Sequence, residues 1–226
     1  MGQWFKGRIY EKRCDLSPDG TKLIYFAQKI NRRTLNDPKY SYAWTAISRP
    51  PYLTALALWR KGDCWNGGGL FETNSRVWLN HAEGGGAHPD KQPRELEVLH
   101  KIDQRGEDDT VLDKRLDTES RFITDSPEIR ERPSPDGRFL LRMRMTIRGF
   151  AAVYDFAYQA TGGEMTPIEG AEWADWDQRG RLAFVRAGKL FAAKPSSGLD
   201  GQGQELADFN AQEPVSLKSP EWARHW

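Results

Sequence analysis

Histidine and cysteine are scarce in this chain, at 4 and 2 of 226 residues. Two cysteines, Cys14 and Cys64, cannot staple a chain of this length, and no Cys-x-x-Cys spacing exists. That excludes a disulfide scaffold and leaves a zinc site unsupported. Two buried free thiols are the expected state, with a pairing of equivalent loops on adjacent repeats as the alternative. His81, His88, His100 and His225 are scattered without a partner pattern. The nucleophile elbow G-x-S-x-G, the zinc helix H-E-x-x-H and the phosphate loop are all missing. No apolar run reaches the ~18 residues of a membrane span, so no membrane insertion is expected. The opening residues do not read as a signal peptide. The expected compartment is the cytoplasm, or the periplasm if a leader has been removed. The net charge is +1, which gives no global reason to expect nucleic acid as a partner.

What the chain does have is a repeated cassette. Cys14 to Phe26 reads CDLSPDGTKLIYF, and Glu131 to Met143 reads ERPSPDGRFLLRM. In each, Ser-Pro-Asp-Gly forms a tight turn: proline fixes φ, aspartate bonds its own backbone, and glycine permits positive φ. Each turn feeds an apolar run, Leu23 to Phe26 or Phe139 to Met143, typical of a strand buried on both faces. A weaker copy occupies Trp173 to Val185, with Asp177 to Gly180 as its turn. The weakest is Leu56 to Phe71, with a turn near Lys61, Gly62 and Asp63.

The first and last pairs of cassettes are each spaced by roughly one four-stranded propeller blade. The longer middle gap reads as one blade plus a polar insertion around 81–133. These cassettes, with following strands such as Arg76 to Asn80 and Lys189 to Ala192, resemble the blades of TolB-like and WD40-like β-propellers. The resemblance implies an all-β fold of about four to five four-stranded antiparallel blades in a single domain over 1–226. It implies no activity, because function on such folds differs from member to member. Nine tryptophans fit packing between sheets. In propellers a final strand often completes the first blade, and Pro214 to Leu217 is the candidate here.

The loops offer several candidate sites. Lys61 to Phe71, KGDCWNGGGLF, reads as a blade hairpin with a bulge; its glycines do not match a phosphate cradle. Trp65 is the aromatic expected to be exposed. Asn80 to Pro93 reads as a mobile surface loop. His81, His88 and Asp90 could ligate a metal, but on a Gly-rich loop nothing fixes their geometry, and no metal or cofactor is expected. Asp103 to Asp109 lacks the order of a calcium loop. Arg142, Arg144 and Arg148 alternate with Met143, Met145 and Ile147, which places the arginines on one sheet face, solvent by ordinary alternation.

Without a catalytic motif, the expectation is a non-enzymatic binding or scaffold protein that recognises a protein or peptide on one face. The alternative is a propeller hydrolase or glycan-active enzyme whose site assembles at the central channel from several blades. The binding residues expected are Arg60, Asp63, Trp65 and Asn66 on the glycine-rich loop, with Trp78 and His81 behind it.

Overall fold

A computed structural model describes residues 2–81, 86–100, 128–148, 151–197 and 203–226. The fold is all-β, with its strands divided among four sheets that form blades of the β-propeller type. Two compact units divide the chain: Met1–Thr118 with Pro214–Trp226, and Glu119–Glu213.

The first unit opens with a broken edge strand. β1 (Arg8–Ile9) and β2 (Asp15–Leu16), separated by a 3-10 turn at Glu11–Arg13, pair with successive parts of β3 (Leu23–Gln28). β4 (Ala43–Ser48) and β5 (Ala57–Lys61) complete the sheet, all antiparallel. The short helix α1 (Arg32–Leu35) lies between β3 and β4 and is capped by Asn31. β3 is buried on both faces, as its apolar run predicts. Ile24 packs with Ile47, Ala57, Trp59, Phe71, Val77 and Leu79, while Tyr25 and Ala27 pack on the opposite side with Ala46. Each such large side chain contributes about 1.5–3 kcal/mol by leaving water.

The second sheet of this unit holds β6 (Gly69–Phe71), β7 (Arg76–Leu79) and β8 (Glu97–His100). It departs from the expected blade, because β8 runs parallel to β7. A parallel neighbour needs a crossover, and residues 80–96 supply it. Part of that crossover is not the mobile surface loop expected of Asn80 to Pro93. His88 is buried; its backbone N–H donates to the Leu58 carbonyl at 2.7 Å, and Leu58 donates to Lys91 at 3.1 Å. The segment thereby covers the outer edge of β5, which would otherwise present an unpaired ladder. Tyr40 stacks on the His88 ring at 4.6 Å and Lys39 pairs with Asp90 at 2.5 Å.

In the second unit, β9 (Glu128–Pro133), β10 (Phe139–Arg148), β11 (Ala151–Ala160) and β12 (Thr166–Pro167) form one antiparallel sheet. β13 (Trp173–Trp176), β14 (Leu182–Arg186), β15 (Lys189–Ala193) and β16 (Gln204–Asp208) form the other. Met143 and Met145 are buried, while Arg144 and Arg148 are exposed and Arg142 pairs with Glu131 at 2.5 Å. The arginine face is therefore the solvent face. Arg132 grips both Asp175 oxygens, at 2.8 and 2.5 Å, and its carbonyl accepts from the Trp176 indole at 3.0 Å.

The Ser-Pro-Asp-Gly turns form as their chemistry dictates. Ser17 is buried, and its hydroxyl donates to Asp19 at 2.6 Å and accepts from the Lys22 N–H at 2.9 Å. Ser134 does the same with Asp136 at 2.7 Å and Phe139 at 3.0 Å. Hydrogen bonds from Ser17 and Thr21 hold the Asp19 carboxyl down to about 2, and those from Ser134 and Arg138 do the same for Asp136. In the third cassette Asp177 itself collects the Arg179 and Arg181 N–H groups, at 2.9 and 2.8 Å. Partial burial opposes ionisation there, but the bonds from Arg181 outweigh it and lower the Asp177 pKa.

The fourth cassette was misplaced. Lys61 to Phe71 is not a hairpin: β5 and β6 belong to different sheets, and residues 62–68 connect them. The equivalent turn lies at Glu72 to Ser75, between β6 and β7, where Glu72 and Thr73 donate to the Arg76 carbonyl. Pro214 to Leu217 forms no strand either. That segment instead returns to the first unit through side-chain bonds. Parts of the polar insertion, including Asp103 to Asp109, lie outside the described residues. Among the described residues no helix is long and apolar enough to cross a membrane.

Candidate functional site

The connection between β5 and β6 has little secondary structure of its own, so its shape depends on what holds it. Three supports are visible. The first is the Arg13 guanidinium, which donates to the carbonyls of Cys64 at 2.8 Å and Asn66 at 2.6 Å. Arg13 also lies over the rings of Tyr10 and Phe26, at 4.7 and 5.3 Å. The second is Asp63, whose carboxylate accepts the Trp65 N–H at 2.8 Å and meets Lys61 at 3.3 Å. The third is the buried backbone of Gly67 to Gly69. Gly67 donates to the Asn80 carbonyl at 2.6 Å, Asn80 donates back to Gly68 at 3.0 Å, and Gly68 donates to the Thr45 hydroxyl at 2.8 Å.

Thr45 and His81 close this buried chain. Their Oγ1 and Nε2 atoms are 2.8 Å apart, and both residues are almost fully enclosed. Burial, with further help from the nearby Lys61 charge, holds the His81 imidazole down to about 4. The ring is therefore neutral, and its Nε2 shares a hydrogen bond with the Thr45 hydroxyl, whose oxygen also accepts the Gly68 N–H. Protonating His81 would put a charge in this enclosed place and make both ring nitrogens donors. Above the ordinary histidine value of 6.5 the neutral ring carries no penalty. As pH falls from there to about 4, the unfolded chain binds a proton that the folded one refuses, and stability drops by roughly 3 kcal/mol. Urea unfolding across this window is expected to show that fall in the wild type and a clearly smaller one in His81→Gln, which keeps an acceptor without titrating. Equal pH slopes for the two proteins would show that His81 is not the group responsible.

The six expected binding residues therefore divide. Trp65 is 71% exposed and Asn66, at φ 57°, sits beside it on the outer surface. Trp65 is not the sole exposed aromatic: Trp4 and Trp222 are also open to solvent. Arg60 and Asp63 are exposed but occupied, Arg60 with the carbonyls of Pro38 and Lys39, Asp63 with Lys61 and Trp65. Trp78 and His81 are buried supports behind the loop. The Trp78 indole donates to Glu72 at 3.2 Å, and its backbone carbonyl lies against Gly69.

Sequence reasoning missed Tyr10, Arg13, Gln28 and Thr45, which hold the loop. Gln28 donates from its amide to the Cys64 sulfur at 2.7 Å and accepts from the Tyr10 hydroxyl at 2.9 Å. The available signal was the basic, aromatic run at Tyr10 to Arg13; nothing in the sequence pointed to Gln28 or Thr45. Both cysteines are free and half-buried. Among the described residues no group of histidine, cysteine, aspartate or glutamate side chains could hold a metal ion. No protein-family model, curated protein or solved structure matches the chain.

Proposed function

We propose that this TolB-like propeller protein is a binding module for a protein or peptide, with Trp65 as its anchor. One observation carries the reading. A tryptophan 71% exposed to water sits on a loop whose backbone is fixed by Arg13, Asp63 and buried glycines. Exposing a large ring has no folding benefit, and a rigid aromatic on a preorganised backbone is what interface energy concentrates on. Two half-buried free thiols fit a reducing, cytoplasmic compartment.

Peptides selected from a random display library on the immobilised protein provide the test. They are expected to bind Trp65→Ala about 2 kcal/mol more weakly, roughly thirtyfold, with melting unchanged. Selected peptides that bind both proteins equally would remove Trp65 from the site. A large drop in melting temperature would show the ring to be structural.

A further inference from the structure

We propose that the cavity beside β1 takes an acidic segment of the partner protein, docked next to the ring of Trp65. This rests on the binding function proposed above and names the chemistry of the partner. The cavity has a volume of about 390 Å³, is open to solvent, and is lined by Lys6, Arg8, Lys29, Ile30 and Asn31 with Gln28. Its three cations have no carboxylate within ion-pair distance among the described residues. Some cations elsewhere are neutralised, Lys39, Arg76, Arg138, Arg142, Arg181 and Lys189 each meeting a carboxylate, so what marks the cavity is three unpaired cations around one concavity. The imbalance belongs to the region, since residues 1–60 hold 11 lysines and arginines against 4 aspartates and glutamates.

The side-chain polar groups left over in the lining are donors. The Asn31 carbonyl oxygen is spent on the cap of α1, accepting from Arg33 at 2.9 Å and Thr34 at 3.0 Å. Gln28 is used at both ends, by Tyr10 and Cys64. What remains is two ammonium groups, a guanidinium and the Asn31 amide nitrogen, a set suited to carboxylates. The site is also preorganised. Arg8 stacks over the Tyr10 ring at 4.6 Å, and a Cβ on Gly7 would lie 2.4 Å from the Phe5 ring, so the floor is backbone pressed onto its neighbours.

Two further observations favour a polypeptide over a free anion or a nucleic acid. Ile30 is 59% exposed in the lining and offers apolar contact. No aromatic ring lines the cavity, so single-stranded bases have no stacking platform there. The cavity and the Trp65 loop are joined through one side chain, because Gln28 lines the first and bonds to Cys64, the residue before Trp65.

Fluorescence anisotropy with labelled oligoglutamate tests the proposal on the full chain. Oligoglutamate is expected to bind in a salt-sensitive manner, and Lys6→Glu/Lys29→Glu to weaken it by about tenfold or more. The same double variant, with melting unchanged, is expected to gain affinity for oligolysine; Lys6→Gln/Lys29→Gln serves if charge reversal disturbs folding. Peptides from the display selection that need Trp65 but ignore the lysine variants would overturn the acidic-segment proposal while leaving the binding function standing. Tighter binding of a single-stranded oligonucleotide, or inorganic phosphate competing as well as oligoglutamate, would overturn it too.

Discussion

Gly68→Ala is expected to destabilise the first unit by about 4 kcal/mol or to prevent its folding, which is exceptional for the addition of one methyl group. Gly68 sits at φ +72°, where L-residues are strained, and a Cβ there would lie 1.9 Å from the Arg13 carbonyl oxygen. Neither partner can retreat. Arg13 is held by the 3-10 turn, its N–H on the Tyr10 carbonyl at 2.9 Å, and by its guanidinium bonds to Cys64 and Asn66. Gly68 is fixed by Thr45 on one side and Asn80 on the other. Relief therefore requires breaking the buried bonds that shape the Trp65 loop. Gly62→Ala, a few residues away, is the internal control: a Cβ there meets nothing within 4 Å. That variant is expected to stay within about 0.5 kcal/mol of the wild type. Urea midpoints for the two variants decide it, and equal midpoints would show that the close approach at Gly68 is not binding on the fold.

The turns were legible because their chemistry is local. Proline, aspartate and glycine specify Ser17 to Gly20 and Ser134 to Gly137 with no help from the rest of the chain. The misplaced fourth cassette shows where such reading fails. Gly62 carried the expected residue type, yet it lies in a connection between sheets, while the true turn at Glu72 to Ser75 has neither proline nor glycine. A different signal was present: Lys22, Arg76, Arg138 and Arg181 each stand just before or at the start of the apolar strand that follows the turn. The basic residue tracks the strand start in all four sheets, while the turn residues vary.

The site was half legible for the same reason. An aromatic beside three glycines, Trp65 before Gly67 to Gly69, announces an unusual loop. What holds that loop comes from Arg13, Gln28 and Thr45, residues that fall on other strands and turns and meet it only in the folded chain. Burial likewise separates Trp65 from Trp78, and no property of the residue type distinguishes those two. The parallel β7–β8 pair was illegible too, since nothing in Glu97 to His100 states which neighbour it will join or in which direction.

Deleting Pro214–Trp226 is the second change expected to have a large effect, though not through the strand first expected at Pro214 to Leu217. The segment belongs to the first unit, where it is fastened at several points. The Gln3 amide donates to the Leu217 carbonyl at 3.0 Å, the buried Ser219 hydroxyl bonds Thr54, and Arg49 donates to the His225 carbonyl at 3.2 Å. Trp222 meets the Tyr52 ring edge-on at 5.5 Å. Most consequential is Trp226, which packs on the core of Ile24, Ile47, Trp59 and Val77 while its indole donates to the Gln92 carbonyl at 3.1 Å. Removing the segment uncovers that core and strips the half-buried Gln3 amide and Thr54 hydroxyl of these partners, a combined loss of about 4 kcal/mol or more against a total of roughly 5–15 kcal/mol for a domain. The truncated chain is expected to aggregate or to unfold without cooperativity. Trp226→Ala alone is expected to cost about 2 kcal/mol, because the ring is only partly enclosed. Size-exclusion chromatography with thermal unfolding measures both variants. A truncated chain that stays monomeric and melts with the wild type would mean that the side-chain fastenings of this segment contribute nothing to the first unit.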